Sequence, residues 1–137
     1  MDAEIQKCIL VANRCFYGLK KRLRSHLTSK NTKILIYKVL IRPVLTYASE
    51  TWTVSKANER WLNLFGRKVL RRILEAKQEN EIWRKRYNYE LYETFNDSNI
   101  VSYIKVKRLA WAGHVMRVNE NRTPKKKKKY LTLNWMV

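Results

Sequence analysis

Metal-assisted polymer chemistry begins with carboxylates held close together, and this chain has few to offer. Its 137 residues contain two aspartates, Asp2 and Asp97, isolated from each other. Cys8 and Cys15 are seven residues apart. On a helix that separation is about 10.5 Å, too far for a disulfide. Neither cysteine has a CxxC partner, and His26 and His114 are not at metal-ligand spacing from them, so no zinc module is expected. Neither histidine has a nucleophile or carboxylate at motif spacing that would make it a catalytic base. The sequence therefore predicts no catalytic residue, no metal site, no cofactor and no small-molecule substrate.

Cations are what the chain has in quantity. Lys and Arg number 30 against 11 Asp and Glu, a formal charge of +19. The run Lys125 to Lys129 supplies five of these, and the remainder is still +14. Such an excess opposes compaction and attracts polyanions, with nucleic acid or an anionic membrane surface as the natural partners. At 45% hydrophobic and 12% aromatic, with 3 Gly and 2 Pro, the composition is neither disordered nor low-complexity. No apolar run reaches the roughly 18–20 residues that span a membrane. Met1-Asp2-Ala3-Glu4 does not read as the basic, then apolar, start of a secretory signal. One domain of ordinary size is expected over 1–118, with a basic, disordered tail over 119–137.

The elements that carry the cations read as helices, making the fold class mainly α, an irregular bundle of about four to five helices. Over 3–24, Ile5, Cys8, Ile9, Ala12, Phe16, Leu19 and Leu23 fall on one face, with Asp2 as a plausible N-cap. Lys7, Arg14 and Lys21 lie opposite, and Arg24 lies on the flank. Ser29 or Asn31 caps a stretch over 32–42 whose length favours helix over strand. Pro43 should end or kink it, and Val44 to Trp52 continues as a second apolar piece. Ser55 caps a helix over 56–77 with Trp61, Leu62, Phe65, Val69, Ile73 and Ala76 inward, and Lys56, Arg60, Arg67 and Arg71 opposite. Two helices thus carry an apolar stripe backed by a basic one.

A helix is expected over about 80–95. Its Trp83, Tyr87, Tyr89, Tyr92 and Phe95 read as core and rim aromatics, with base-stacking platforms as the alternative. After the turn at Asn96-Asp97-Ser98-Asn99, a last helix over 100–118 has Ile100, Val101, Ile104, Trp111, Ala112 and Val115 on one face. Arg108 sits in the middle of that face, where its charge requires either a packed stem with an exposed head or an acidic or phosphate partner. Gly113 inside the helix suggests close packing. Basic amphipathic helices can lie on lipid, but apolar faces spread over several helices favour a globular bundle and no membrane partner. Pro124 to Lys129 resembles a monopartite nuclear import signal, so the expected location is nuclear or cytoplasmic.

Three stretches resemble one family. Glu4-Ile5 with Ala12-Asn13-Arg14 and Leu19 is similar to the helix after the primer grip of non-LTR retrotransposon reverse transcriptases. Leu40-Ile41-Arg42-Pro43-Val44-Leu45-Thr46-Tyr47-Ala48-Ser49-Glu50-Thr51-Trp52 resembles their IRPVLxYGSExW stretch, and Arg108 to Arg117 resembles their RLxWxGHVxR stretch. Arg67 to Ile73 also fits, and the likeness, to RTE-like and Jockey-like elements, covers about residues 4–124. It implies a thumb and the segment beyond it, mostly helical, holding a template–primer duplex by its backbone. In that family Mg²⁺ sits on palm carboxylates, which this chain lacks. Ala48 stands where the family usually has Gly, and Lys127 onward no longer matches.

These features lead to an expected role without chemistry: a catalytically incomplete, thumb-like region that binds nucleic acid non-specifically. Its expected contacts are Lys7, Arg14, Lys21, Arg24, Lys56, Arg60, Arg67, Arg71 and Arg108. The alternatives are an independent nucleic-acid-binding or scaffold protein, and a non-functional translated transposon relic.

Overall fold

A computed structural model describes residues 2–118, and the tail with its lysine run and import-like signal lies outside the described residues. The architecture is mainly helical, an irregular bundle. Helix α1 spans Asp2–Arg24 and buries Ile5, Ala12, Phe16 and Leu23. Asp2 is inside the helix rather than its cap, and its Oδ1 accepts a hydrogen bond from Asn58 Nδ2 at 2.7 Å. Helix α2 (Lys30–Ile36) starts at Ser29, whose hydroxyl accepts from the Thr32 N–H.

Pro43 does not end the next segment. The chain passes from α2 through a π-helical turn, Tyr37–Ile41, into α3 (Arg42–Leu45). In a regular α-helix the Pro43 ring would meet the carbonyl four residues back, and a wider π-turn at that point relieves the clash. Helix α3 ends at Thr46, and Val44 to Trp52 is not a second regular element. It contains a left-handed residue, Ala48 (φ 57°), a 3₁₀ turn at Ser49–Thr51, and a buried Trp52.

Helix α4 (Lys56–Leu74) is capped by Ser55, which accepts from Asn58 N–H. It stops three residues sooner than the sequence suggests, at Glu75 (φ 58°). Leu62, Phe65, Val69 and Ile73 are buried as expected, but Trp61 is 58% exposed and Ala76 is also exposed. The wheel ranks residues by angle, and the helices packed on α4 cover only part of the arc it marks as apolar. Gly66 lies where α4 meets α6 (Ile100–Arg117): a Cβ there would sit 3.6 Å from Ile100 Cγ2.

The expected helix over 80–95 is an antiparallel hairpin followed by a short helix. Strands β1 (Lys77–Glu79) and β2 (Ile82–Arg84) pair Gln78 with Trp83, and α5 covers Asn88–Phe95. Asn80 (φ 51°) and Glu81 (φ 66°) form the two-residue turn, both left-handed. Phe95 is buried, Tyr92 partly buried, and Trp83, Tyr87 and Tyr89 exposed, so only some of these aromatics serve the core.

The core runs through α1, the π-turn, Trp52, α4, α5 and the first half of α6. Burying such side chains is worth about 1.5–3 kcal/mol each, the term that offsets the cost of ordering the chain. Asp97, isolated in sequence, ties the bundle together. It accepts from Lys38 Nζ at 3.1 Å and Arg42 Nη1 at 3.4 Å, while Arg42 lies 4.1 Å from the Tyr103 ring centroid. Burial opposes its ionisation, yet the Ser98 N–H, Lys38 and Arg42 together hold the Asp97 carboxyl below its ordinary range. Glu50 pairs with Lys107 at 3.5 Å. The stretch from Leu40 to Trp52 thus acts as a structural clasp. Gly113 does not mark a close approach, because a Cβ there would meet only the Arg117 guanidinium at 3.9–4.0 Å.

Candidate nucleic-acid interface

Helices α1 and α4 pack side by side in the same direction. Asp2 meets Asn58 at the start of both helices, and Lys68 Nζ reaches Asn13 Oδ1 at 3.2 Å and Tyr17 Oη at 3.3 Å further along. The near-constant offset along the chain is the signature of parallel packing. Both C-terminal ends therefore lie together, and each carries the negative pole of its helix dipole. Cations in the last turns, Arg24 on α1 and Arg71 and Arg72 on α4, are favourable there for that reason alone.

Between these ends lies an open cleft of about 540 Å³. Lys20 and Arg24 line one wall, and Lys68, Arg71 and Arg72 line the other, with His26 at the edge and Phe16 and Tyr17 in the floor. The one carboxylate in the lining is Glu75, and it faces Lys33 Nζ at 3.8 Å. Lys68 is held by Asn13 and Tyr17 and lies 4.9 Å from the Tyr17 ring centroid. Arg71 donates to Asn88 Oδ1 at 2.7 Å. Among the described residues no carboxylate lies within ion-pairing distance of Lys20, Arg24 or Arg72. Five Lys and Arg side chains face one neutralised carboxylate on two rigid helices. A phosphate backbone suits this arrangement, since it is bound by cations on a fixed surface and carries no sequence information.

Of the nine residues expected from the sequence, the cleft gathers Arg24 and Arg71. Lys7, Arg14, Lys21, Lys56 and Arg60 are exposed elsewhere on their helices, and Arg67 is half-buried. Lys7 borders a second, largely apolar hollow of about 550 Å³ beside Pro43, Tyr47 and Trp52. Arg108 is half-buried at a cavity of about 70 Å³ between α4 and α6, where desolvation lowers its pKa. Periodicity places a cation only relative to its own helix. Arg71, read as opposite the apolar stripe of α4, lines the cleft, and so do Lys20, Lys68 and Arg72, which a search for stripes opposite the apolar faces passes over.

Cys8, Cys15 and His114 are not in the cleft lining. Both cysteines are free, and burial, then Glu4, pushes the Cys8 thiol up and away from thiolate reactivity. Among the described residues no group of three His, Cys, Asp or Glu side chains could hold a metal ion. His114 is exposed with its ring 5.4 Å from that of Trp111. No described helix is long and apolar enough to cross a membrane.

The chain is 25% identical over 132 residues to a Caenorhabditis elegans protein described as transposon-derived. The match covers 96% of this chain and 47% of that relative, so the chain spans about half the length of the curated protein it matches. No family model matches the chain, and no solved structure does.

Proposed function

We propose that this chain corresponds to the thumb and post-palm region of a non-LTR retrotransposon reverse transcriptase. In this reading it holds the backbone of a nucleic-acid duplex, without sequence preference, in the α1–α4 cleft. The observation that carries this reading is the convergence of Lys20, Arg24, Lys68, Arg71 and Arg72 around one neutralised carboxylate. Transposon origin is supported by the similarity to the transposon-derived nematode protein. The polymerase assignment rests on the three motif stretches, and one backbone feature agrees with it. Ala48, where the family usually has Gly, adopts φ 57°, a conformation that favours Gly.

Mg²⁺-dependent polymerisation is outside its reach in this reading, since the two aspartates are Asp2, bonded to Asn58, and Asp97, bonded to Lys38 and Arg42. Two measurements on the purified chain test the proposal. A random-sequence duplex should bind with an affinity that falls steeply as salt rises, because five phosphate contacts give a log–log slope of about −4.5. Primer extension with Mg²⁺ should give no incorporation. Salt-insensitive binding, no binding, or detectable incorporation would each refute it.

A further inference from the structure

Tyr87 and Tyr89 project from the start of α5 with rings 6.0 Å apart and 15° from parallel. They are 57% and 66% exposed, so the core does not account for them. The pair is nevertheless rigidly founded. Glu90 accepts from the Tyr87 backbone N–H at 2.8 Å and from both terminal nitrogens of Arg84 at 2.8 and 2.9 Å. The Arg84 guanidinium lies 4.7 Å from the Tyr87 ring centroid, so Tyr87 neighbours both a cation and the Tyr89 ring. Asn88, the residue between the two tyrosines, is the acceptor for Arg71 on the cleft wall. The aromatic pair is therefore joined directly to the basic cleft.

From this continuity we infer that Tyr89, backed by Tyr87, is a stacking platform for an unpaired nucleobase of a strand whose phosphates run in the α1–α4 cleft. The inference rests on the reading of that cleft as a phosphate-backbone site, and adds single-stranded nucleic acid as a second ligand. A ring has a face for any base, so stacking adds affinity without sequence preference. Because Glu90 and Arg84 already anchor Tyr87, the ring that backs Tyr89, less conformational freedom is lost when a base settles on the pair. The excess of cations in the cleft favours a polyanion over an apolar protein segment as the occupant.

The test uses the full chain and three labelled probes: an oligothymidylate of about 12 nucleotides, an abasic phosphodiester of equal length, and a duplex of equal length. The wild-type chain should bind the oligothymidylate about tenfold tighter than the abasic strand. Tyr89→Ala should reduce oligothymidylate binding to the abasic level while duplex binding changes less than about twofold, and Tyr89→Phe should retain the preference. Equal binding of the two single strands would overturn the platform and leave the duplex reading standing. So would a Tyr89→Ala loss shared by all three probes, or one seen only as weakened self-association in sedimentation. Failure of the wild-type chain to bind any probe would overturn both.

Discussion

Arg84 places both terminal nitrogens on the Glu90 carboxylate, at 2.8 and 2.9 Å, and its Nε on Glu79 at 2.6 Å. This fork joins the hairpin to the first turn of α5. Its hydrogen bonds, first from Arg84 and then from the Tyr87 N–H, hold the Glu90 carboxyl down to about 2.

That depressed value fixes the sign of an acid dependence. A carboxyl whose folded pKa lies below its unfolded value, near 4.3, contributes stability that is fully present above the unfolded value. The contribution is lost as pH falls toward the folded one. The melting temperature should therefore drop between about pH 5 and pH 2. Glu90→Gln should lower it already at pH 7 and flatten the acid limb. An unchanged acid limb in the variant, followed by thermal melts, would show that the fork is not the source.

Ala48 adopts φ 57°, where an L-residue is strained by roughly 1–2 kcal/mol. Glycine relieves the strain at some cost in unfolded-state entropy. Ala48→Gly should stabilise the chain by about 1 kcal/mol and raise the melting temperature by about 4 °C. Denaturant titration measures it directly.

Gly113 has only the Arg117 guanidinium near its missing side chain. Gly113→Ala should add up to about 1 kcal/mol through helix propensity. Destabilisation in the same titration would mean that the helix face is packed after all.

Trp52 is 2% exposed between the 3₁₀ turn and α4, and it is among the largest fully buried side chains. Trp52→Ala should cost about 3–5 kcal/mol. That is a large share of the 5–15 kcal/mol typical of a folded domain. Loss of the cooperative melt is the expected outcome.

The long helices were legible because their apolar residues repeat at helical spacing and their starts carry Ser29, Ser55 and Asn99 as caps. The hairpin was not. Its turn is Asn80-Glu81 rather than Asn-Gly, its strands are three residues each, and the aromatics around it mimic a helical stripe. That the helical path does not end at Pro43 was one of the two expected outcomes, but its form was hidden, because a π-turn has no sequence signature as plain as a cap. The cleft was half legible. Periodicity places a cation relative to its own helix, but the parallel packing of α1 on α4 decides which cations meet, and Lys68 meets Asn13 and Tyr17 across it.

The central claim is that duplex binding resides in the cleft and not in the charge of the protein as a whole. Two variants that remove four positive charges each separate these. One replaces Lys20, Arg24, Lys68 and Arg72 by Gln, and the other replaces Lys7, Arg14, Lys21 and Arg60. Affinity for a random-sequence duplex is measured across a KCl series. The cleft variant should flatten the log–log salt slope by about 3.6, and the outer variant by less than about 1. Equal flattening, or a larger effect from the outer variant, would contradict the assignment.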